Sequence, residues 1–425
     1  MKNVKKLLDS AKNISGYRIS GKATESYELF FVHKKLETVR STDTDSVTVT
    51  VYVEHDGRVG DSSFSVYGSM TDDEITEKIE TARKRALLVN NEPYALTEGG
   101  VLDEKLPTDL DGYDNAKLGS LIADAVFAAD NVPGGSINAL EIFIYRDTVH
   151  VVNSRGVDKK QTTHRVMIEA IPTFTDEKQS VELYEDYRFT KFEPEKLTAE
   201  IAEKMREVRD RAAAVKPEGG MTVNVLLRPH EISSLMGELS RDLGYGAAYS
   251  HANLHKAGDD LQQDCRGDRI TFTMKGIIEG SESSAYFDED GTSLKDTVLI
   301  KDGVVVGSFG SSRFGQYLGV AEPSGELKCG RLEPGTLTDE ETEAEPYLDV
   351  VSMSGLQLDL YNDYIGGEIR LAYLHEGGKV TPVTGITMSA KLSEALASVR
   401  LSRKTDVSGR YEGPVRLLMK GVSVL

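Results

Sequence analysis

The sequence predicts an α+β fold, with helices and antiparallel strands in different stretches of the chain. Strand-like and helix-like runs do not alternate regularly, as they would in a doubly wound α/β protein. Helix- and strand-breaking residues from Pro217 to Gly220 also interrupt the chain near its middle. We therefore expect an N-terminal mixed α/β domain with an antiparallel sheet over residues 1–217, and a strand-rich C-terminal domain over residues 221–425.

After an amphipathic helix that begins at the N-terminus, the next predicted elements lie between residues 46 and 86. Residues 46–53 alternate valine with mainly hydroxyl-bearing residues, which predicts a strand with one apolar face. Asp56-Gly57 predicts a hairpin turn into a second strand near residues 64–67. Residues 71–74 have the sequence of a capping box, which predicts a helix after them. Four residues at helical spacing would form its buried side: Ile75, Ile79, Ala82 and Ala86.

The rest of the first half predicts more strands and one long helix. Residues 141–145 and 149–152 are both strand-like, and we expect them to form the two strands of a hairpin. Residues 164–171 predict a further strand. A long helix would close this half, with a buried stripe of six residues: Leu197, Ile201, Met205, Val208, Ala212 and Val215.

The second half is predicted to begin with a strand and an amphipathic helix. Residues 223–227 form a short apolar run typical of a buried strand. Residues 229–243 follow, with apolar residues at three- and four-residue intervals on one side of a helix. These residues are Ile232, Leu235, Met236, Leu239 and Leu243.

Composition excludes several classes of function. The net charge of −19 argues against nucleic acid as a direct partner, because phosphate binding needs clustered Lys and Arg. Two cysteines in 425 residues predict no disulfide framework and suit a reducing compartment. No run of residues is apolar enough for a membrane helix. A cytoplasmic protein without membrane or nucleic-acid partners is the expectation.

Several segments in order along the chain resemble the TldD/PmbA family, also called the modulator-of-DNA-gyrase family. One is the strand and helix at residues 223–243. The others resemble the family's "NSxG" turn, its "FDDEG" turn, the hairpin and helix that follow, and its "EPGT" block. These are Asn153–Val157, Ser284–Thr292, Val298–Gly307, Ser311–Gly319 and Leu332–Thr336.

The resemblance also shows which residues are missing. In the catalytic, TldD-type members, the helix matching residues 229–243 carries His-Glu-x-x-x-His, and a cysteine near the C-terminus is the third zinc ligand. With Pro229 aligned to the family's proline before this helix, the motif window is residues 237–242. Glu238 keeps the glutamate, whereas Gly237 and Asp242 stand where the histidines would be. The matching tail, residues 407–415, has no cysteine.

The resemblance therefore implies a PmbA/TldE-like subunit that lacks the zinc motif. Such a chain would be the catalytically silent half of a cytoplasmic metallopeptidase that processes or degrades peptides, and would contribute part of a chamber. Gly237 and Asp242 become candidate contacts to peptide or partner. We expect no cofactor in this chain and zinc in a TldD-like partner, while the chain alone could form a homodimer.

Two other hypotheses stay open. The chain could be an active metallopeptidase with a rearranged ligand set drawn from four residues: His230, Glu231, His251 and His255. His251 and His255 would share one face if their segment is helical, but the segment could equally be a loop. Glu238 remains a candidate general base, although it would need a metal-bound water to act on. The other hypothesis is that the chain is a non-enzymatic, peptide-binding homodimer.

Overall fold

The computed structural model describes residues 2–344 and 346–425, and its N-terminal half consists of one large sheet with helices on one face. The strands are β1 (Gly16–Val32), β2 (Lys35–His55), β3 (Arg58–Val66), β4 (Val101–Lys105), β5 (Gly135–Asn153), β6 (Asp158–Thr175), β7 (Ser180–Glu182) and β8 (Glu185–Phe189). The helices are α1 (Lys2–Ser10), α2 (Asp72–Ala86), α3 (Asn115–Ala128) and α4 (Pro194–Ala213), with a 3₁₀ turn at Leu110–Gly112. The strand order is β3-β2-β1-β5-β6-β4, and β7 and β8 also pair with β6.

Two apolar clusters join the helices to this sheet. Helices α1 and α2 pack on β1 and β2, and α3 and α4 pack on β1, β5 and β6. The predicted start of α2 is confirmed, because Thr71 and Glu74 form both hydrogen bonds of a capping box. Its four predicted core residues are buried. The predicted turn at Asp56-Gly57 is also confirmed, with left-handed φ values of 49° and 72°.

Two expectations about this half are wrong. Residues 141–145 and 149–152 form no hairpin, since both lie in the single strand β5. The polar residues between them stay extended because Asp147 accepts hydrogen bonds from Thr24 and Arg165, at 2.6 and 2.8 Å, on the strands to either side. Val215 is not in the buried stripe of α4, which ends at Ala213. It is 53% exposed and pairs with Val383 instead.

The C-terminal half consists of two sheets and short helices. Its strands are β9 (Met221–Leu227), β10 (Phe272–Lys275), β11 (Thr297–Lys301), β12 (Val304–Val305), β13 (Cys329–Leu332), β14 (Tyr347–Met353), β15 (Gln357–Asp359), β16 (Tyr364–Glu376), β17 (Lys379–Val383), β18 (Ile386–Lys391), β19 (Arg400–Leu401), β20 (Thr405–Ser408), β21 (Tyr411–Pro414) and β22 (Leu417–Val424). Its helices are α5 (Pro229–Asp242), α6 (Tyr245–Tyr249), α7 (Ser312–Tyr317), α8 (Asp339–Thr342) and α9 (Leu392–Ser398).

One apolar core fills this half. One sheet has the order β12-β11-β10-β13-β21-β20, and the other has the order β14-β9-β22-β18-β16-β15, with β14 also pairing with β16. The buried stripe of α5 packs into the core, which draws residues from both sheets. The α+β class is therefore confirmed, with a largely antiparallel N-terminal sheet and a strand-rich C-terminal half. The division of the chain at residues 217–221 stays a prediction.

The halves meet along helix α4 and on the face of the N-terminal sheet that carries no helices. The Lys159 ammonium group donates to the Gly291 carbonyl at 2.7 Å, and the Gln161 side chain accepts from the Tyr286 amide at 2.8 Å. The Arg165 guanidinium donates to Glu282 at 3.2 Å. These contacts cover one end of the face only. No helix in the described part of the chain is long and apolar enough to cross a membrane.

Candidate functional site

Helix α5 brings the motif window and the C-terminal tail together. Strand β9 leads into the helix, and Pro229 occupies its first turn, where the missing N–H costs nothing. The five predicted apolar residues are buried, which fixes the rotation of the helix. Strand β21, part of the tail at residues 407–415, packs against α5. The two segments that supply ligands in TldD-type members are therefore adjacent in this fold.

Gly237 and Glu238 lie on the outer side of α5. A Cβ atom added at Gly237 would meet nothing within 4 Å, so no neighbouring backbone requires a glycine here. The Glu238 carboxylate forms an ion pair with Arg241 at 2.9 Å, one turn along the helix. Because Arg241 is 76% exposed, this pair is a solvated surface contact of little energetic weight.

Asp242 anchors the loop that follows α6. It is buried, and its carboxylate accepts hydrogen bonds from the backbone amides of Leu254 at 2.6 Å and His255 at 3.0 Å. The Nδ1 atom of His255 lies 2.9 Å from the same carboxylate. A carboxylate with three partners of this kind anchors a loop strongly. Asp242, a candidate contact in the silent-subunit hypothesis, and His255, a candidate ligand in the rearranged-ligand hypothesis, are thus in direct contact.

The remaining candidates do not converge. His251 and His255 lie in a loop after α6, and His251 has a left-handed φ of 55°, so the helical alternative for this segment is wrong. His230 is exposed in the first turn of α5, whereas Glu231 is buried. Across residues 2–344 and 346–425, no three His, Cys, Asp or Glu side chains are grouped so that they could hold a metal ion.

The residues of the motif window do not fit a zinc ion. Gly237 has no side chain that could bind a metal ion. The carboxylate of Asp242 already accepts hydrogen bonds from Leu254 and His255. Zinc at a catalytic site normally has three protein ligands and an open position for water.

A buried charge network at the other end of α5 was missed by the sequence analysis. Arg228 donates to Glu207 at 2.6 Å and to Asp349 at 3.0 Å, which joins helix α4 to strand β14. Lys204 lies 3.0 Å from Glu207 and 3.1 Å from Glu185. In the sequence, the only local sign of this network was the three-residue spacing of Lys204 and Glu207 on α4. Their link to Arg228 depends on how the halves pack.

Glu231 lies beside this network without a full set of partners. Among the described residues, its Oε2 atom is buried and has no hydrogen-bond partner. Burial raises the pKa of Glu231 above its ordinary value of 4.5, against the opposing effects of His230 and Lys204. The carboxyl group is thus held in conditions that favour its neutral form.

A cleft between the two halves was also missed. It has a volume of 660 Å³ and lies between the start of β1, the β2–β3 turn and a segment that we call the strap, residues 91–97. Gln316 of α7 completes its lining. The strap belongs to no helix or strand, apart from the backbone hydrogen bonds between Asn91 and Val59 of β3, so no periodic pattern marks it.

Helix α7 holds the strap through main-chain and aromatic contacts. The Ala95 amide donates to the Gln316 side chain at 2.8 Å, and the Gln316 amide group donates to the Ala95 carbonyl at 2.9 Å. The Tyr317 hydroxyl donates to the Glu92 carbonyl at 2.7 Å. The Tyr94 ring lies edge-on to Tyr317, with ring centres 6.0 Å apart. Gln316 therefore binds the strap backbone as a neighbouring strand would.

Residues 220–425 match a family model described as the PmbA/TldA metallopeptidase C-terminal domain. These residues belong to the TldD/PmbA family. The resemblance to this family that the sequence predicted is thereby confirmed. No curated protein sequence gives a significant match.

Solved structures share the fold of this chain over its whole length. TldE from Thermococcus kodakarensis is 15% identical with a TM-score of 0.81, and the match covers 99% of each chain. A protein from Thermotoga maritima described as a proposed modulator of a DNA gyrase is 15% identical with a TM-score of 0.78, covering 100% of this chain and 99% of that one. A similarly described protein from Bacteroides thetaiotaomicron is 17% identical with a TM-score of 0.82, covering 100% and 98%. At these identities the comparison shows a common fold.

Proposed function

We propose that this chain is a PmbA/TldE-like, catalytically silent subunit of a cytoplasmic TldD/PmbA-type metallopeptidase that processes or degrades peptides. A TldD-like partner would bring the zinc ion. This chain would contribute peptide contacts and part of the wall of a chamber. The family assignment and the full-length likeness in fold to TldE support the proposal.

The state of the motif window carries the proposal. The fold brings α5 and β21 together, as a ligand set drawn from both segments requires. Yet Gly237 has no side chain that could bind a metal ion, Glu238 is paired with Arg241, and Asp242 anchors a loop. This chain has therefore kept the architecture of the site while its polar residues serve local structure.

The open polar face of the N-terminal sheet supports a role in lining a chamber. We use this name for the part of the helix-free face that the C-terminal half leaves uncovered. It includes Thr24 of β1 and Arg40, Thr42 and Thr44 of β2, whereas Ser26 and Glu28 of the same face are buried beneath their neighbours. Hydroxyl and charged groups on this face bond to one another, as Ser26 does to Thr42 at 2.7 Å. Such a surface offers adaptable hydrogen bonds to a peptide of any sequence.

The outer edge of β2 supports contact with a second chain. Strand β3 pairs with residues 47–55 of β2, while residues 35–46 have a strand on one side only within the described part of the chain. All twelve residues of this segment are exposed. Unpaired edges of this kind bind peptides or partner strands through main-chain hydrogen bonds.

Reconstitution with a TldD-like zinc subunit tests the proposal. We expect Gly237→Trp to lower the peptide-cleavage rate of the complex about tenfold while its zinc content is unchanged, because the indole would occupy the open space above α5; tenfold corresponds to about 1.4 kcal/mol. Gly237→Ala is the matched control and should leave the rate unchanged. An equal rate for the wild-type and Gly237→Trp complexes would contradict the proposed peptide or partner contact at this position.

Metal analysis of the isolated chain separates the proposal from the rearranged-ligand hypothesis. We expect far less than one zinc ion per chain. One zinc ion per chain, lost in His255→Ala or His230→Ala, would instead favour an active metallopeptidase with a different ligand set. Purification from the native host separates both from the homodimer hypothesis, because only the silent-subunit proposal requires a second family member in the complex.

A further inference from the structure

The two halves meet at the start of α5 in a layer that we call the joint, which consists of the buried charge network and Glu231. Ion pairs there link β8 and α4 of the N-terminal half to Arg228 and β14 of the C-terminal half. The charged and titratable side chains described around the joint are Glu185 and Tyr187 of β8; Glu200, Glu203, Lys204, Glu207 and Asp210 of α4; Arg228, His230 and Glu231 at the start of α5; and Asp349, Tyr373 and Arg416 of the C-terminal half. Carboxyl groups outnumber cations in this set.

Glu231 is the buried carboxyl group of the joint that lacks a cation. Three others have a cation at 2.6–3.1 Å: Glu207, Asp349 and Glu185. Glu231 is 4% exposed, and within the described part of the chain its carboxylate forms no ion pair. Burial is the largest effect on the pKa of Glu231 and raises it, whereas His230, Lys204 and Arg228 act in the opposite direction from beyond ion-pair distance. The charged form of this side chain is therefore unfavourable while the joint is closed.

A second polar group without a partner lies on the other side of the joint. The Tyr187 hydroxyl is buried and has no hydrogen-bond partner among the described residues. Tyr187 and Glu185 are two residues apart on β8, so both side chains point to the same side of the strand. The joint thus holds an unpartnered hydroxyl from one half and an unpartnered carboxyl oxygen from the other. Each of them makes the closed contact less stable than a fully hydrogen-bonded one.

We propose that the joint is a pH-sensitive contact between the two halves, closed while Glu231 carries its proton and loosened when that proton is lost to solvent. Loosening would let water hydrate the carboxylate as the first turn of α5 separates from α4. The contacts of Lys159 and Gln161 on the sheet face are separate from the joint and would still link the halves. This behaviour would be a property of the chain by itself and would not depend on a zinc-bearing partner.

The direction of the pH effect follows from where Glu231 binds its proton more tightly. Its pKa is raised in the closed joint and returns toward 4.5 when water reaches the side chain. Below about pH 4.5 both states are protonated, and opening does not depend on pH. Above this value the opening equilibrium rises by up to about tenfold per pH unit, until Glu231 also ionises in the closed joint.

Amide hydrogen exchange of the isolated wild-type chain between pH 5 and pH 8 tests the inference. Exchange is read by mass spectrometry, corrected for the intrinsic rate at each pH, with a chelator present throughout. In the joint segments, residues 204–208 and 232–236, we expect the opening equilibrium to rise at least about tenfold over this range. In two reference segments, α2 and β18, it should stay within about threefold. An equal rise in the reference segments would indicate global unfolding and would overturn the inference.

Glutamine variants assign the effect to one carboxyl group. Glu231→Gln cannot ionise and has nearly the same volume, so the rise in the joint segments should shrink to within about threefold. Glu195→Gln is the matched control, because it changes an exposed carboxyl group in the first turn of α4 and should keep the wild-type rise. A rise that persists in Glu231→Gln, or that is lost in Glu185→Gln instead, would overturn the role of Glu231.

Tyr187→Phe separates the charge effect from the cost of the unpartnered hydroxyl. This variant should open several-fold less at every pH, with the same dependence on pH as wild type, because it removes a buried polar group without changing any charge. Loss of the pH dependence in Tyr187→Phe would overturn the role of Glu231. Should a variant fail to fold, the wild-type series still decides. No rise in its joint segments would overturn the inference and leave the proposed pairing with a zinc-bearing partner intact.

Discussion

The two ends of helix α5 use charge in different ways. At the N-terminal end, Arg228 is 13% exposed and joins Glu207 and Asp349 across the boundary between the halves. At the C-terminal end, Asp242 binds backbone amides of a loop only 12 residues further on. The first arrangement ties distant parts of the chain together, whereas the second shapes a local segment. The same helix therefore holds a long-range contact at one end and a local loop at the other.

The largest effect should come from breaking the N-terminal network. Arg228→Met removes the guanidinium group that pairs with the buried Glu207 and the partly buried Asp349, and we expect the free energy of unfolding to fall by about 3–5 kcal/mol. Urea denaturation measures the change. Arg241→Met, at the exposed end of the same helix, is the control and should leave the urea midpoint unchanged. Equal effects of the two substitutions would mean that the ends of α5 do not differ in this way.

A smaller loss is expected at the other end of the helix. Asp242→Ala removes the acceptor for Leu254, His255 and the His255 ring, and should cost about 2–3 kcal/mol. Asp242→Asn keeps one carbonyl acceptor and should cost less. Limited proteolysis should detect earlier cleavage near residues 253–258 in the alanine variant. If stability and cleavage both stayed as in wild type, Asp242 would not be the anchor of this loop.

The comparison becomes sharper when pH is varied. Since burial raises the pKa of Glu231, the folded chain binds more protons than the unfolded chain above about pH 4.5, and stability contributed by this group falls as pH rises. Glu231→Gln cannot ionise, so it should gain stability relative to wild type between pH 5 and pH 8. Urea midpoints of both proteins at the two pH values give the difference. A gap that shrinks with rising pH would show that the sign is wrong.

The smallest effect is expected at Gly237. Alanine has room at this position and loses less conformational freedom in a helix, so Gly237→Ala should stabilise the chain by about 0.5–1 kcal/mol. Thermal unfolding of the variant and wild type measures the gain. A destabilised variant would contradict the open space at Gly237.

Local patterns predicted the elements near the site well. The capping box of α2 and the apolar stripe of α5 were correct because both depend on residues within one or two turns. The hairpin expected at residues 141–152 was wrong, because Asp147 looks like a turn residue until its partners on β1 and β6 are known. Likewise, the possible helix at 251–255 is a loop held by Asp242.

The sequence by itself determined the α+β class, the amphipathic helix at residues 229–243 and the loss of histidines from its motif window. Each of these can be read from residue type and short-range spacing. Only the tertiary structure decided that Asp242 anchors His255, that Arg228 bridges the halves, and that the strap borders a cleft between them. These features join residues far apart in the chain, and no local periodicity encodes which of many polar side chains will meet when the apolar faces pack.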